Sequence, residues 1–151
     1  MIQKTLARVC LLLFLVFTFE CAHALCVKVP KANVRSGPGT GYEIIWEVYK
    51  YMPFRKMGVS LSGDWYAVGD VDGDVNWIHR SLLTGSYDCA VVKTAQVNIR
   101  SGPGTNYSKA SFSPAKQYHT FKVLKKKGKW YKLRDEWGDT GWIHKNFLWI
   151  N

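Results

Sequence analysis

Beyond residue 24, the histidines and cysteines that could serve as nucleophile or general base are His79, His119, His144, Cys26 and Cys89. A nucleophile needs a base and an orienting group that converge once, in one cleft. His79 and His144 instead hold equivalent places in an internal repeat, and the two cysteines very nearly do, so duplication of a scaffold explains their recurrence. No catalytic residue is assigned. Asp70-Val71-Asp72-Gly73-Asp74 gathers three carboxylates. A calcium loop of the EF-hand type, however, needs glycine at its sixth position and glutamate at its twelfth, where Val75 and Ser81 stand. The run reads as an acidic hairpin turn with Asp135-Glu136-Trp137-Gly138-Asp139 as its variable counterpart, and neither a metal nor a cofactor is expected.

Binding chemistry is better represented. In Trp65-Tyr66-Ala67-Val68 the alternation of a strand sets Tyr66 and Val68 on one face and Trp65 on the other. If Val68 points into a core, Trp65 points out, and the same holds for Trp130 against Tyr131 and Leu133. Such rings serve either as an exposed recognition groove or as covers for the open ends of small barrels. Lys125-Lys126-Lys127-Gly128-Lys129 leads straight into Trp130, where the first half has Ser60-Leu61-Ser62-Gly63-Asp64. A cationic turn beside an aromatic attracts anions with strong salt dependence. It reads equally as a solvated turn kept soluble by its lysines.

These residues are positioned by a duplicated unit. Asn33-Val34-Arg35-Ser36-Gly37-Pro38-Gly39-Thr40-Gly41-Tyr42 recurs as Asn98-Ile99-Arg100-Ser101-Gly102-Pro103-Gly104-Thr105-Asn106-Tyr107, an offset of 65. The same offset carries Gly63 to Gly128, Trp65-Tyr66 to Trp130-Tyr131, and Trp77-Ile78-His79 to Trp142-Ile143-His144. One unit of roughly 60 residues is written twice, joined near Thr84-Gly85-Ser86. Extended pieces are predicted over Val27–Val29, Ala32–Arg35, Phe54–Val59, Trp65–Val68 and Val75–Ile78, divided by turn signals. Glycines of the Ser36–Thr40 corner are expected to supply positive φ. Because Gly141 stands where the first repeat has Asn76, a left-handed backbone is expected at both positions as well. No helical period survives between breakers, so the fold class is all-β, with small barrels.

Residues 1–24 differ in kind. Lys4 and Arg8 precede an apolar run from Val9 to Phe19, and Ala22-His23-Ala24 follows, the pattern of a cleaved secretory signal peptide. The run falls well short of the roughly 20 residues that span a bilayer, so no stable membrane span is expected after cleavage. Neither Cys21 nor Cys26 follows a lipoprotein pattern, since Glu20 and Leu25 precede them. The expected location is periplasmic or secreted. Removing Lys4, Arg8 and Glu20 from the 21 basic and 11 acidic residues leaves 19 and 10, a net charge of +9. The half beginning at Asp88 carries twelve of those bases and four of the acids.

Export also bears on Cys26 and Cys89. Each repeat has one cysteine, at its start, so neither can pair within its own repeat. Oxidised, they join repeat to repeat or chain to chain; reduced, they are two buried thiols of first strands. Compartment and even number favour the inter-repeat disulfide. Closing so long a loop stabilises by roughly 4 kcal/mol, which matters for units too small to bury much surface.

The string N-V-R-S-G-P-G-T-x-Y, with G-D-W-Y and W-I-H-x-S-L-L after it, resembles the bacterial SH3 domain family, and the second copy matches with N-I-R-S-G-P-G-T-x-Y, G-K-W-Y and G-W-I-H. The resemblance implies two tandem SH3-like, partly open barrels, over residues 25–86 and 87–151 after the signal peptide, with both ends of the exported chain used up by the repeats. It implies a ligand groove beside the outward tryptophans, so Tyr42, Trp65, Trp77, Tyr107, Trp130 and Trp142 are the candidate ligand-binding aromatics, joined by Lys125, Lys126, Lys127 and Lys129. The expected function is a non-enzymatic adaptor contacting peptidoglycan, another anionic envelope polymer or an envelope protein. A regulatory subunit docking onto a separate cell-wall hydrolase is the alternative, and a small hydrolase hidden in the barrels is a third reading. Export argues against nucleic acid as a partner of the basic patch.

Overall fold

The structure, a computed structural model, describes residues 24–150. The leader expected over residues 1–24 falls outside them except for Ala24. The first half forms strands β1 (Ala24–Val27), β2 (Lys31–Arg35), β3 (Ile44–Tyr49), β4 (Pro53–Val59), β5 (Trp65–Gly69), β6 (Val75–His79) and β7 (Leu83–Thr84), with a 3-10 turn over Arg80–Leu82. They make one open sheet in the order β3-β2-β6-β5-β4-β1-β7. The second half repeats the plan with β8 (Cys89–Val92), β9 (Gln96–Val97), β10 (Ala115–Lys116), β11 (Thr120–Lys127), β12 (Trp130–Arg134), β13 (Thr140–His144) and β14 (Leu148–Ile150), and a second 3-10 turn over Lys145–Phe147. Here the sheet order is β13-β12-β11-β8-β14, and β9 pairs with β10 separately. The fold is thus all-β, two small barrels whose sheets do not close, and no helix among the described residues is long and apolar enough to cross a membrane.

Strand β3 is the element that sequence patterning missed. Of its six residues only Val48 is buried, while Ile44, Ile45 and Tyr49 are exposed, so no clean alternation marks it. Its β-branched and aromatic residues nevertheless suit a pleated edge. The second repeat has Pro114 in the corresponding stretch, and proline cannot donate to a ladder, so pairing on this edge shrinks to the two-residue β9–β10 ladder and an isolated bridge between Arg100 and Lys109.

Each repeat has its own interior. Val34, Phe54, Val68, Ile78 and Leu83 fill the first, and Ile99, Phe121, Leu133, Ile143 and Leu148 the second. The two adhere, because Val91 of β8 joins the first core and Trp149 of β14 packs on it. A disulfide between Cys26 and Cys89, with Cα atoms 6.1 Å apart, ties the first strands of the repeats together. Thr120 adds a cross-repeat hydrogen bond, its hydroxyl donating to the Lys50 carbonyl at 2.6 Å.

Two backbone expectations are corrected. Asn76 and Gly141 do not have positive φ; the left-handed glycines are Gly63, Gly73, Gly128 and Gly138. Gly141 is glycine for space, since a Cβ there would stand 2.3 Å from Ile99 Cγ2. The corner glycines also have ordinary φ. A Cβ on Gly37 would meet the Tyr42 ring at 2.3 Å, and one on Gly102 would meet Tyr107 at 2.2 Å. The corner is therefore a seat for its own tyrosine. Arg35 closes it by donating from one guanidinium nitrogen to the carbonyls of Thr40 and Tyr42 at 2.9 and 2.7 Å, and Arg100 donates to the Tyr107 carbonyl at 2.8 Å.

Candidate functional site

Antiparallel register decides which side chains share a face. In β12, Leu133 is buried, so Trp130, Lys132 and Arg134 point outward, and their partners do likewise: Lys127 opposite Trp130, Lys125 opposite Lys132, Lys122 opposite Arg134. From β13, His144 and Trp142 complete this face. A bulge at Leu124, between Val123 and Lys125, restores the alternation that puts Lys125 outside. The lysines expected to form a turn are thus mostly strand: only Gly128, with φ 57°, and its flanks make the reversal. Lys126 turns to the opposite side, its Nζ 5.7 Å from the Tyr131 ring centre.

The first repeat presents the same face with different chemistry. Ala67 and Gly69 replace Lys132 and Arg134, Gly58 stands opposite Ala67 where Lys125 stands opposite Lys132, and only Arg55 remains as the counterpart of Lys122. One outer sheet is nearly neutral. The other carries Lys122, Lys125, Lys127, Lys132 and Arg134 around two tryptophans.

The expected aromatics separate in the same way. Tyr66 and Val68 pack toward the core and Trp65 stands on the other face, yet Trp65 is only 9% exposed, its ring meeting His79 edge-on at 5.3 Å. Trp130 has the same edge contact with His144 but remains half-buried. It lines a recess of about 260 Å3 with Asn98, Arg100, Thr105, His144 and Phe147. Trp77 and Trp142 lie farther along their faces, opposite Ala67 and Lys132. Tyr42 and Tyr107 spend one ring face on the corner glycines.

The histidines and acidic turns have local partners. His79 Nδ1 accepts from the Ser81 amide at 3.3 Å, and His144 Nδ1 accepts from the Asn146 amide at the same distance, each capping a 3-10 turn. Asp70 accepts from the amides of Asp72 and Asp74, and Asp135 from those of Trp137 and Asp139, so each carboxylate organises its own hairpin. Among the described residues no group of three His, Cys, Asp or Glu side chains is arranged to hold a metal ion.

Sequence reasoning missed a cleft between the repeats. Trp46 of β3 and Tyr118, in the turn before β11, meet edge-on at 5.5 Å, and Trp137 of the β12–β13 hairpin lines the same cleft, its ring edge-on to His119 at 6.0 Å. Tyr118 holds φ 65° and donates its hydroxyl to Asp72 at 2.9 Å, a bond that keeps its phenol above the usual range. His119 stacks on Phe121 at 4.5 Å, and burial pushes its imidazole down despite Asp135 and Glu136 nearby. The available signal was a departure from the repeat: Trp137 stands where the first repeat has Asp72.

A family model described as bacterial SH3 domain matches residues 28–85 and again residues 93–149. A Bacillus subtilis (strain 168) protein named as an N-acetylmuramoyl-L-alanine amidase, YrvJ, is 30% identical over 132 residues, covering 81% of this chain and 24% of that protein. The chain spans about a quarter of that relative's length. Among solved structures, NlpC2 from Trichomonas vaginalis aligns over 89% of this chain and 50% of its own at 12% identity and a TM-score of 0.37. A NlpC/P60 family protein from Bacillus cereus ATCC 10987 aligns over 85% and 56% at 11% identity, also with a TM-score of 0.37.

Proposed function

The chain belongs to the bacterial SH3 domain family, and from that premise we propose that it is an exported, non-enzymatic binding protein of the cell envelope whose second repeat holds an anionic wall polymer. The supporting observation is the contrast between the two outer sheets: five cations on the face of Trp130 and Trp142 in one repeat, and Arg55 alone among glycine and alanine in the other. Clustered cations attract a polyanion over a distance of about 10 Å at moderate salt, and the recess at Trp130 gives a ring and Arg100 for a closer fit. Export rests on the leader pattern of residues 1–24. The first repeat then serves as support or binds a neutral ligand.

Retention on purified peptidoglycan sacculi tests the proposal. Trp130→Ala and the triple change of Lys125, Lys127 and Lys132 to Gln are expected to elute at markedly lower salt than the wild type, and Lys126→Gln is expected to elute close to it. Equal retention of all four proteins would overturn the reading.

The amidase name of the Bacillus subtilis relative favours a second reading, in which the repeats target or regulate a wall hydrolase. That reading expects the protein to bind such an enzyme and not bare sacculi.

A further inference from the structure

The cleft between the repeats is acidic, opposite in sign to the cationic face of the second repeat. It encloses about 380 Å3, within the range of small-molecule sites. Trp46 and Glu47 come from the first repeat, and Tyr118, His119, Glu136 and Trp137 from the second. A second recess, of about 240 Å3, adjoins it across the Trp46–Tyr118 pair and is lined by Asp70, Asp72 and Asp74. No lysine or arginine lines either recess, although 19 such residues follow position 24. Five of the ten carboxylates after that position are gathered here.

Three further observations point to a ligand. Trp137 is 74% exposed at the mouth, a large indole surface that no neighbour covers. His119 lines the cleft, and its buried Nε2 has no hydrogen-bond partner, the Asp135 carboxylate standing 3.9 Å away. Glu136 forms no ion pair among the described residues, whereas Glu47 is held by Lys31 at 2.7 Å and by the Tyr49 hydroxyl. A buried ring nitrogen without a partner donates or accepts according to its tautomer, and burial shifts this imidazole toward its neutral form.

We infer that the inter-repeat cleft binds a primary ammonium carried on an aliphatic stem, the side chain of a diamino-acid residue in a peptide. The methylene stem packs along Trp46, Tyr118 and Trp137, and the head group sits over ring faces and beside Glu136, where cations are favoured over both neutral and anionic groups. In its Nδ1–H tautomer His119 accepts one N–H of the ammonium at Nε2. Aromatic walls alone would take a sugar ring equally well, and carboxylates accept from sugar hydroxyls, but a full positive charge gains more than a neutral hydroxyl from Glu47 and Glu136 in the cleft and from the three aspartates of the adjoining recess. The site is separate from the cationic face around Trp130, so either can fail without the other.

The test uses the full chain with its disulfide intact. N-acetyl-lysine methylamide is titrated while the indole signals of the tryptophans are followed by NMR, with N-acetyl-norleucine methylamide and the Nε-acetylated compound as controls. Saturable shifts at the indoles of Trp46 and Trp137 are expected, with both controls at least tenfold weaker. Glu136→Gln and Trp137→Ala, both on a hairpin away from the cores, are each expected to weaken binding at least fivefold, and Trp130→Ala to leave it unchanged. Equal binding of norleucine, shifts centred on Trp130, or full affinity in both cleft variants would overturn the inference. Soluble wall peptides carrying a free diamino acid are then compared with a lysine-containing pentapeptide of L residues. Tighter binding of either supports the site and names its source; binding of neither overturns it.

Discussion

Tyr51 and Tyr118 occupy matching turns of the two repeats, and each holds a left-handed backbone, with φ of 70° and 65°. They are the non-glycine residues with positive φ among the described residues. In each turn the tyrosine amide donates back to the first strand, Tyr51 to the Val27 carbonyl and Tyr118 to the Val92 carbonyl. The rings then part company: Tyr51 is buried against Tyr87 and the disulfide, while Tyr118 reaches over to Asp72. Backbone strain of about 1–3 kcal/mol per residue is thus placed where the repeats meet.

This strain inverts a familiar order of stability. Tyr51→Gly and Tyr51→Ala lose nearly the same contacts, but only glycine adopts φ 70° freely. The glycine variant is expected to be the more stable of the two by about 1 kcal/mol, read from chemical denaturation midpoints. An alanine variant as stable as the glycine variant would mean that the turn relaxes.

At the second corner, Gly102→Ala places a methyl group 2.2 Å from the Tyr107 ring. The expected cost is about 1–3 kcal/mol. In a Tyr107→Ala background the same change should be close to neutral, because the ring is the obstacle. A double-mutant cycle measures this coupling, and simple additivity would contradict the assigned role of the corner.

Reduction of Cys26–Cys89 opens a link that spans 63 positions. Chain entropy then predicts a loss of about 4 kcal/mol. Thermal unfolding with and without reductant checks it, and the Cys26→Ala, Cys89→Ala double variant should unfold at the temperature of the reduced wild type.

His119 makes stability depend on pH. Burial lowers its folded-state pKa below the unfolded value, outweighing Asp135 and Glu136. The stabilisation is complete above the unfolded value of about 6.5 and is lost as pH falls through the folded value. Urea midpoints of the wild type should therefore fall between pH 7.5 and 5 more than those of His119→Gln. A parallel decline would remove His119 as the cause.

Most of the architecture was legible because duplication repeats its own signals. Trp65-Tyr66 and Trp77-Ile78-His79 each sit on strands that the pattern marks, and Val68 and Ile78 reach the core as alternation requires. Local chemistry was harder to read. Glycine enters a sequence for positive φ or for space, and Gly37, Gly102 and Gly141 proved to be of the second kind, a distinction that depends on which ring or methyl group stands opposite. The bulge at Leu124 likewise decides which lysines face Trp130, and nothing in a run of lysines announces it. The cleft stayed hidden for a different reason. Its residues are those that the repeats do not share, such as Trp137 against Asp72, and a search for recurrence passes over them.

The cross-link between the two first strands also sets a mechanical route. Tension entering the chain ahead of Cys26 and leaving beyond residue 150 passes through sulfur to Cys89 and on into the second half, bypassing everything from Val27 to Asp88. The first barrel is thereby shielded from pulling, and the second carries the whole mechanical load.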